Sequence, residues 1–413
     1  MAPSLVLSRP ADVRGCMKLV FDDPDLDGQL QRTVAKDSVG MANAGECLAI
    51  AANISPGDTS TWYPAFAGAA ERLRTTANRA AGRGHRVSAR ECYLRACEYY
   101  RNAFFYERAD LDNPKLLAAY TSHRACFRAA LPLLEFPIEV VEVAFAEATL
   151  TGYFARPDGS GRSRPTVIMP GGYDGTAEEG YPTIVAGVQR GYNVFCFDGP
   201  GQGAVLYEQR IVMRPDWEIV LPPVVDQIAG RADADANRLI LFGRSFGGYL
   251  APRAAGHEHR FAALVVDPGQ YDLGAGLDKR LPDQLVRQLE DDSAAADEPF
   301  EELLRDERYR RLFLPRMATH GAKTVRQYLN MMQAYTNAGH AEEITCPTLV
   351  CDNETDPIST MQGRLLYDRL TCPKTFVQFT AAEGAEGHCE GMGQTIFFAR
   401  MFDWVDETLG TES

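Results

Sequence analysis

Residues 238–255 read Arg-Leu-Ile-Leu-Phe-Gly-Arg-Ser-Phe-Gly-Gly-Tyr-Leu-Ala-Pro-Arg-Ala-Ala: an apolar run, a serine flanked by glycines, then a segment of helical texture. Leu239–Phe242 is four consecutive apolar residues bounded by Gly243, the pattern of a strand buried on both faces of a parallel sheet. "GGYLAPRAA" spaces its small and apolar residues as a helix does. Between the two, Gly243-Arg244-Ser245-Phe246-Gly247 matches G-x-S-x-G. A serine in that strand–turn–helix setting sits on a sharp turn that presents its hydroxyl, and glycine lets neighbouring backbone approach. A glycine turn with a capping serine has the same local pattern, so the rest of the chain must decide.

Working outward, short apolar runs alternate with helical stretches from Pro165 onward: "PTVIMPGG", "YNVFCFDG", "RLILFGRS", "AALVVDPG", "PTLVCDNETD" and "KTFVQFT". Bounded by glycine and proline, they fit buried strands joined by crossover helices. "IEVVEVAF" and "LTGYFARP" alternate and fit an antiparallel pair ahead of them. Upstream, Thr61 to Tyr106 places alanine, leucine and aromatics three and four residues apart. Gly82 and Gly84 break that stretch, and Ser88 is the expected N-cap of its second half. The expectation is a hairpin of helices containing Ala69–Ala80 and Ala89–Tyr106, with Pro132 and Pro137 ending the helical region. The predicted fold class is therefore α/β, a mostly parallel central sheet flanked by helices. Residues 1–137 form a helical cap domain and 138–413 the catalytic domain, interrupted by a charged helical excursion at about 275–340.

A serine hydroxyl becomes a nucleophile when a base takes its proton, and an imidazole suits that task near neutral pH. Of seven histidines, His388 lies beyond the last strand in "EGAEGHCEGMG", where glycine-rich backbone can present it over the sheet edge. His257 and His259 fall in a polar stretch, and His85, His123, His320 and His340 in or near helical patterns. "LVCDNETDPIS" ends a strand with Asp352, Glu354 and Asp356. Asp356, after a short turn and before Pro357-Ile358, is preferred as the carboxylate that orients the imidazole, with Asp352 the alternative. The order serine, aspartate, histidine matches this strand–turn–helix context. A tetrahedral intermediate needs two oriented N–H donors. Phe246 supplies one, and Gly172 or Tyr173, after the first parallel run, the other.

Composition bounds the alternatives. The net charge of −14 over 413 residues, with no basic block, argues against nucleic acid and anionic membranes as partners. No basic-then-apolar leader and no run of about eighteen apolar residues is present. The ten cysteines fall in helix and strand patterns, such as Cys92, Cys97, Cys126, Cys196 and Cys351, and are read as buried thiols of a reducing compartment. A cytoplasmic protein is expected. "FDGPGQG" lacks the lysine and hydroxyl residue of a phosphate loop and is read as a tight turn after a strand. No histidine, cysteine and carboxylate cluster has metal-ligand spacing, so no metal or cofactor is expected. The expected partner is a small molecule, and a homodimer is compatible with the sequence.

Taken together, "MPGGYDGTAEE", "FDGPGQG", "MRPDWE", "GRSFGGYLAPR" and "EGAEGHCE", behind "WYPAFAGAAERL" and "SARECYLRA", resemble two related groups of α/β-hydrolases. One is the fungal yellowish-green pigment hydrolases, which shorten a polyketide by cleaving a carbon–carbon bond. The other is 2,6-dihydroxypseudooxynicotine hydrolase. The resemblance runs from about Trp62 to Trp404. It implies an α/β-hydrolase core, an N-terminal helical cap over the active site, and a triad of Ser245, Asp356 and His388 acting on ketone-type substrates as well as esters. Related sequences carry a glutamate after the "GPGQG" turn, where this chain has Ala204. A looser resemblance reaches esterases of the fermentation–respiration switch type. The implied function is hydrolysis of a C–C bond beside a ketone in a polyketide-like or β-diketone substrate, an aromatic or polyketide-like small molecule. The alternatives are a carboxylesterase or acyltransferase using the same acyl-enzyme, and a non-catalytic ligand-binding homologue.

Overall fold

A computed structural model describes residues 17–278, 281, 283–289, 294–359 and 361–410. Its strands are β1 (Ile138–Phe145), β2 (Ala148–Ala155), β3 (Arg164–Pro170), β4 (Asn193–Phe197), β5 (Ala234–Arg244), β6 (Phe261–Asp267), β7 (Thr348–Asn353) and β8 (Lys374–Phe379). They form one sheet in the order β1-β2-β4-β3-β5-β6-β7-β8. The β1–β2 hairpin is antiparallel, β2 pairs antiparallel with β4, and the remaining pairings are parallel. Strand order reverses at β3, which lies between β4 and β5. Ligands of open α/β sheets bind at such a point, beyond the carboxyl ends of the strands. The register puts Leu241 opposite Ile168 and Arg244 opposite Asp267, so Ser245, the loop after Pro170 and Asp267 all emerge at that edge.

Alternation along β5 distributes its side chains between two apolar layers. Ile240 and Phe242 join Val167, Val194, Phe397 and Met401 on one face, and Leu239 and Leu241 join Ile168, Val224, Tyr249 and Phe313 on the other. The N-terminal helices are α1 (Pro24–Val34), α2 (Ala44–Ala51), α3 (Trp62–Gly82), α4 (Arg86–Phe104) and α5 (Pro114–Ala130). Trp62, Phe66, Phe104 and Phe127 belong to the same apolar cluster as the first face, so these helices share a core with the sheet. The expected α3–α4 hairpin is present, and Gly84 turns it with φ +78°. Ser88 does not cap α4. The helix starts two residues earlier, at Arg86, and Ser88 lies inside its first turn. The helix also stops at Phe104, where a 3-10 turn takes over through Glu107.

On the second face lie α8 (Leu221–Ala229) and α9 (Gly247–Ala255), which follow α6 (Tyr181–Val188) and α7 (Gly203–Tyr207) in the chain. Between β6 and β7 the chain leaves the sheet for a run of helices that includes Glu307–His320 and Val325–Met332. Among the described residues no helix is long and apolar enough to cross a membrane, and the nine described cysteines are buried and unpaired.

Candidate active site

Ser245 occupies the turn between β5 and α9 with φ +56°, a conformation that costs a non-glycine residue energy and is held here by its surroundings. Its N–H donates to the Asp267 carbonyl at 2.7 Å, and its carbonyl accepts from Gly248 N at 2.8 Å and Gln270 Nε2 at 2.9 Å. Two glycines make the turn sterically possible. A Cβ on Gly243 would lie 2.1 Å from the Gly247 carbonyl oxygen, and one on Gly248 would lie 1.9 Å from that of Pro268. Gly247 is different, since a Cβ there would meet only ordinary van der Waals contacts. Gly248→Ala should therefore cost ~1–3 kcal/mol of stability or more through overpacking against backbone, and Gly247→Ala much less. Chemical denaturation of the two variants checks this, and equal midpoints would contradict it.

Ser245 Oγ donates to His388 Nε2 at 2.7 Å, and His388 Nδ1 donates to Asp356 Oδ2 at 2.9 Å. The other Asp356 oxygen accepts from the backbone N–H groups of Ile358 (2.7 Å) and Ser359 (3.3 Å). Burial opposes the Asp356 charge. The adjacent His388 and the two N–H groups outweigh it and hold the carboxyl below the usual carboxylate range. Burial likewise opposes an imidazolium at His388, but the Asp356 carboxylate overcomes it and lifts the imidazole well above its ordinary value. The alternative acids lie elsewhere. Asp352 accepts from its neighbour Asn353 N at 2.9 Å, and Glu354 accepts from Ala381 N at 2.7 Å. Burial pushes the Asp352 carboxyl up to about 6.

Gly172 is against Ser245: a Cβ there would be 3.3 Å from Ser245 Cβ. Among the described residues, the N–H groups of Phe246, Gly172 and Tyr173 donate to no protein acceptor, which leaves them available to an incoming oxygen. Gln202, in the "FDGPGQG" turn, holds that loop. Its Nε2 donates to the carbonyls of Gly171 at 2.5 Å and Gly172 at 3.1 Å, while its Oε1 accepts from Gly199 N at 2.9 Å. The turn thus supports the loop beside the serine as well as ending β4. Arg244 plays a similar part for the histidine loop, donating from Nη2 to the Cys389 carbonyl at 2.9 Å and standing 3.7 Å from Asp267. Asp267 and Glu390 are both buried beneath that loop. Burial and the neighbouring Asp267 carboxylate raise the Glu390 carboxyl well above its usual range. Nothing local in sequence marks Gln202, Gln270 or Glu390, because their roles come from contacts across the fold.

The other histidines take different places. His257 and His340 face each other at 2.8 Å on the surface, and His123 lies buried against Thr176 and Glu178. His320 is buried beside Tyr335, and burial, followed by the nearby Arg316 charge, pushes its imidazole down to about 3.

The aromatic rings around Phe246 come from the loop after β3 and from the β6–β7 excursion. Trp62, Phe66, Tyr99, Tyr100 and Phe104 are buried within the N-terminal helices, with Tyr63 half-buried. The rings near Ser245 are Tyr173 against Phe246 (4.8 Å between centroids), Tyr335 against Phe246 (5.6 Å) and His320 against Tyr173 (5.5 Å). Tyr335 and His320 come from the β6–β7 excursion. The N-terminal helices reach the same place with polar groups. Arg32 of α1 pairs with Asp174 at 3.0 Å and Glu179 at 2.9 Å, and Lys36 and Arg101 also bind Glu179. The side chains of Arg32, Asp174 and His388 keep 29%, 28% and 21% of their surface accessible. A cavity of about 720 Å³ lies among α2, α3 and α4, lined by Glu46, Ile50 and Arg72, away from the serine.

Sheet order, serine turn and crossover helices define an α/β-hydrolase. Residues 166–390 match the alpha/beta hydrolase family, and the chain belongs to it. It is 31% identical over 421 residues to "Hydrolase acrC" of Aspergillus aculeatus, covering 91% of this chain and 94% of that protein. It is 36% identical over 254 residues to "20-hydroxy-prefusarin hydrolase FUS2" of Gibberella moniliformis, covering 59% of this chain and 60% of that one. The crystal structure of 2,6-dihydroxy-pseudo-oxynicotine hydrolase superposes with a TM-score of 0.71 at 20% identity, over 92% of this chain and 95% of the other. That likeness supports the shared fold.

Proposed function

We propose that the protein is a serine-triad hydrolase that cleaves the C–C bond beside a ketone in a polyketide-like or β-diketone substrate. The observation that carries the reading is the continuous relay from Ser245 Oγ through His388 to Asp356, at 2.7 and 2.9 Å, facing unoccupied N–H groups. Ser245 Oγ forms a bond to the ketone carbon while its proton passes to His388 Nε2. Asp356 holds the imidazole in the required tautomer and stabilises its charge. The oxyanion takes the N–H groups of Phe246 and of Gly172 or Tyr173. The adjacent C–C bond then breaks, its electron pair leaves as a stabilised enolate, and His388 returns the proton to the enolate carbon. Water, deprotonated by the same imidazole, releases the acyl group as a carboxylic acid. Support for a polyketide-like substrate comes from the relative described as a 20-hydroxy-prefusarin hydrolase.

The helices before β1 act, with the β6–β7 excursion, as the cover of the active site. The buried, unpaired thiols support a cytoplasmic setting. The test is product analysis by mass spectrometry on an aryl 1,3-diketone and on the aryl ester of the same acyl group. Release of ketone and acid from the diketone is expected, with kcat/KM at least equal to that for the ester. Ester cleavage with an intact diketone would make the protein an esterase.

The pH profile follows from His388. The imidazole must be neutral to accept the serine proton, so kcat/KM falls as pH drops through its pKa. Asp356 raises that pKa, so the acidic limb should lie above the ordinary imidazole value of about 6.5. A limb at pH 5.5 would contradict the relay.

A further inference from the structure

Several arginines stand beside the loop that follows β3 or on the helix Glu307–His320, and three of them have carboxylate partners. Arg32 pairs with Asp174 and Glu179, Arg108 reaches Asp174 at 3.7 Å, and Arg311 pairs with Asp23 at 2.7 Å and Asp25 at 3.8 Å. Arg316, on the helix Glu307–His320, forms no ion pair among the described residues. Its Nη1 donates to the Leu312 carbonyl one turn back, and its guanidinium lies over the Tyr173 ring, 5.4 Å from the centroid. The edge-to-face contact of that ring with Phe246 places Arg316 one aromatic ring away from Phe246, the residue after the serine. The side chain is half-buried. A guanidinium so placed has lost much of its hydration, and a ring face and one carbonyl replace little of it. Asp25 feels the Arg316 charge but makes no ion pair with it, so in a chain with net charge −14 the guanidinium is a ready binding group for an anion.

We propose that Arg316 is a specificity-determining residue that selects substrates carrying an acidic oxygen, a carboxylate or an enolate, a few bonds from the carbonyl that Ser245 attacks. The assignment rests on the hydrolase reading above and narrows its substrate class. The guanidinium offers two parallel N–H donors to the two oxygens of a carboxylate, or to the 1,3-related oxygens of a diketone enolate. Tyr173 has a double place: it follows Gly172, which lies against Ser245, and its ring is the surface on which the selecting cation rests.

Two matched substrates test this: the 4-nitrophenyl monoester of glutaric acid, which carries a carboxylate, and its methyl-capped neutral counterpart. The ratio of kcat/KM, anionic over neutral, should exceed ten in the wild type, fall tenfold or more in Arg316→Gln, and recover in part in Arg316→Lys. Affinities of the same two esters are measured by titration calorimetry in Ser245→Ala, with and without Arg316→Gln. A tenfold weakening confined to the anionic ester supports the role of Arg316 even where turnover is absent. Equal affinities of the two esters, or equal losses for both on Arg316→Gln, overturn it. Absence of turnover of either ester by the wild type counts against the hydrolase reading alone, since the calorimetric ratio still decides the role of Arg316.

Discussion

Ser245→Ala lowers kcat by on the order of 10³-fold or more, because serine, histidine and aspartate act as one unit and the loss of one leaves only binding and the oxyanion donors. The fold should survive. Alanine tolerates a left-handed turn no worse than serine does, and the Ser245 N–H and carbonyl bonds to Asp267, Gly248 and Gln270 are all backbone groups of residue 245. The only hydrogen bond lost is the one to His388. Circular dichroism and thermal unfolding of the variant should match the wild type while steady-state turnover disappears. A folded variant within tenfold of wild-type kcat would remove Ser245 from the mechanism.

Asp356→Asn should be nearly as damaging, on the order of 10³–10⁴-fold in kcat. An amide presents the imidazole with a donor or a neutral acceptor, so the tautomer that receives the serine proton is no longer favoured. The variant should also move the acidic limb of any residual activity to lower pH, since the carboxylate that raises the His388 pKa is gone. Asp352→Asn should cost less than tenfold, because Asp352 bonds to Asn353 N and leaves His388 untouched. A larger loss from Asp352→Asn than from Asp356→Asn would assign the acid to the strand end.

How much of this was legible in the sequence depended on how local the constraint was. The strand–serine–helix stretch at 239–255 is self-contained: four apolar residues, a turn that excludes a Cβ at Gly243 and Gly248, and a helix. Asp356 and His388 could be singled out because each follows a strand end in a short, turn-rich segment, and the structure brings both within hydrogen-bonding distance of their neighbours in the relay. The N-cap of α4 was misplaced because a tight glycine turn at 82–84 allows the helix to begin without a side-chain cap. The rings around Phe246 were not legible for a different reason. Trp62, Phe66 and Phe104 satisfy one another and the first face of the sheet, whereas Tyr335 and His320 reach Tyr173 and Phe246 only through the fold of the excursion. Gln202 and Gln270 are invisible for the same cause: an isolated glutamine has no periodicity, and only the tertiary fold shows which carbonyls it holds.

The identity of the nucleophile is tested most directly by mass spectrometry of the folded protein after exposure to a fluorophosphonate. The expected result is one adduct per chain, mapped by peptide fragmentation to Ser245 and absent from Ser245→Ala, with His388→Ala labelling far more slowly. An adduct on another residue, or none while the untreated protein still turns over substrate, would contradict a serine-nucleophile mechanism centred on Ser245.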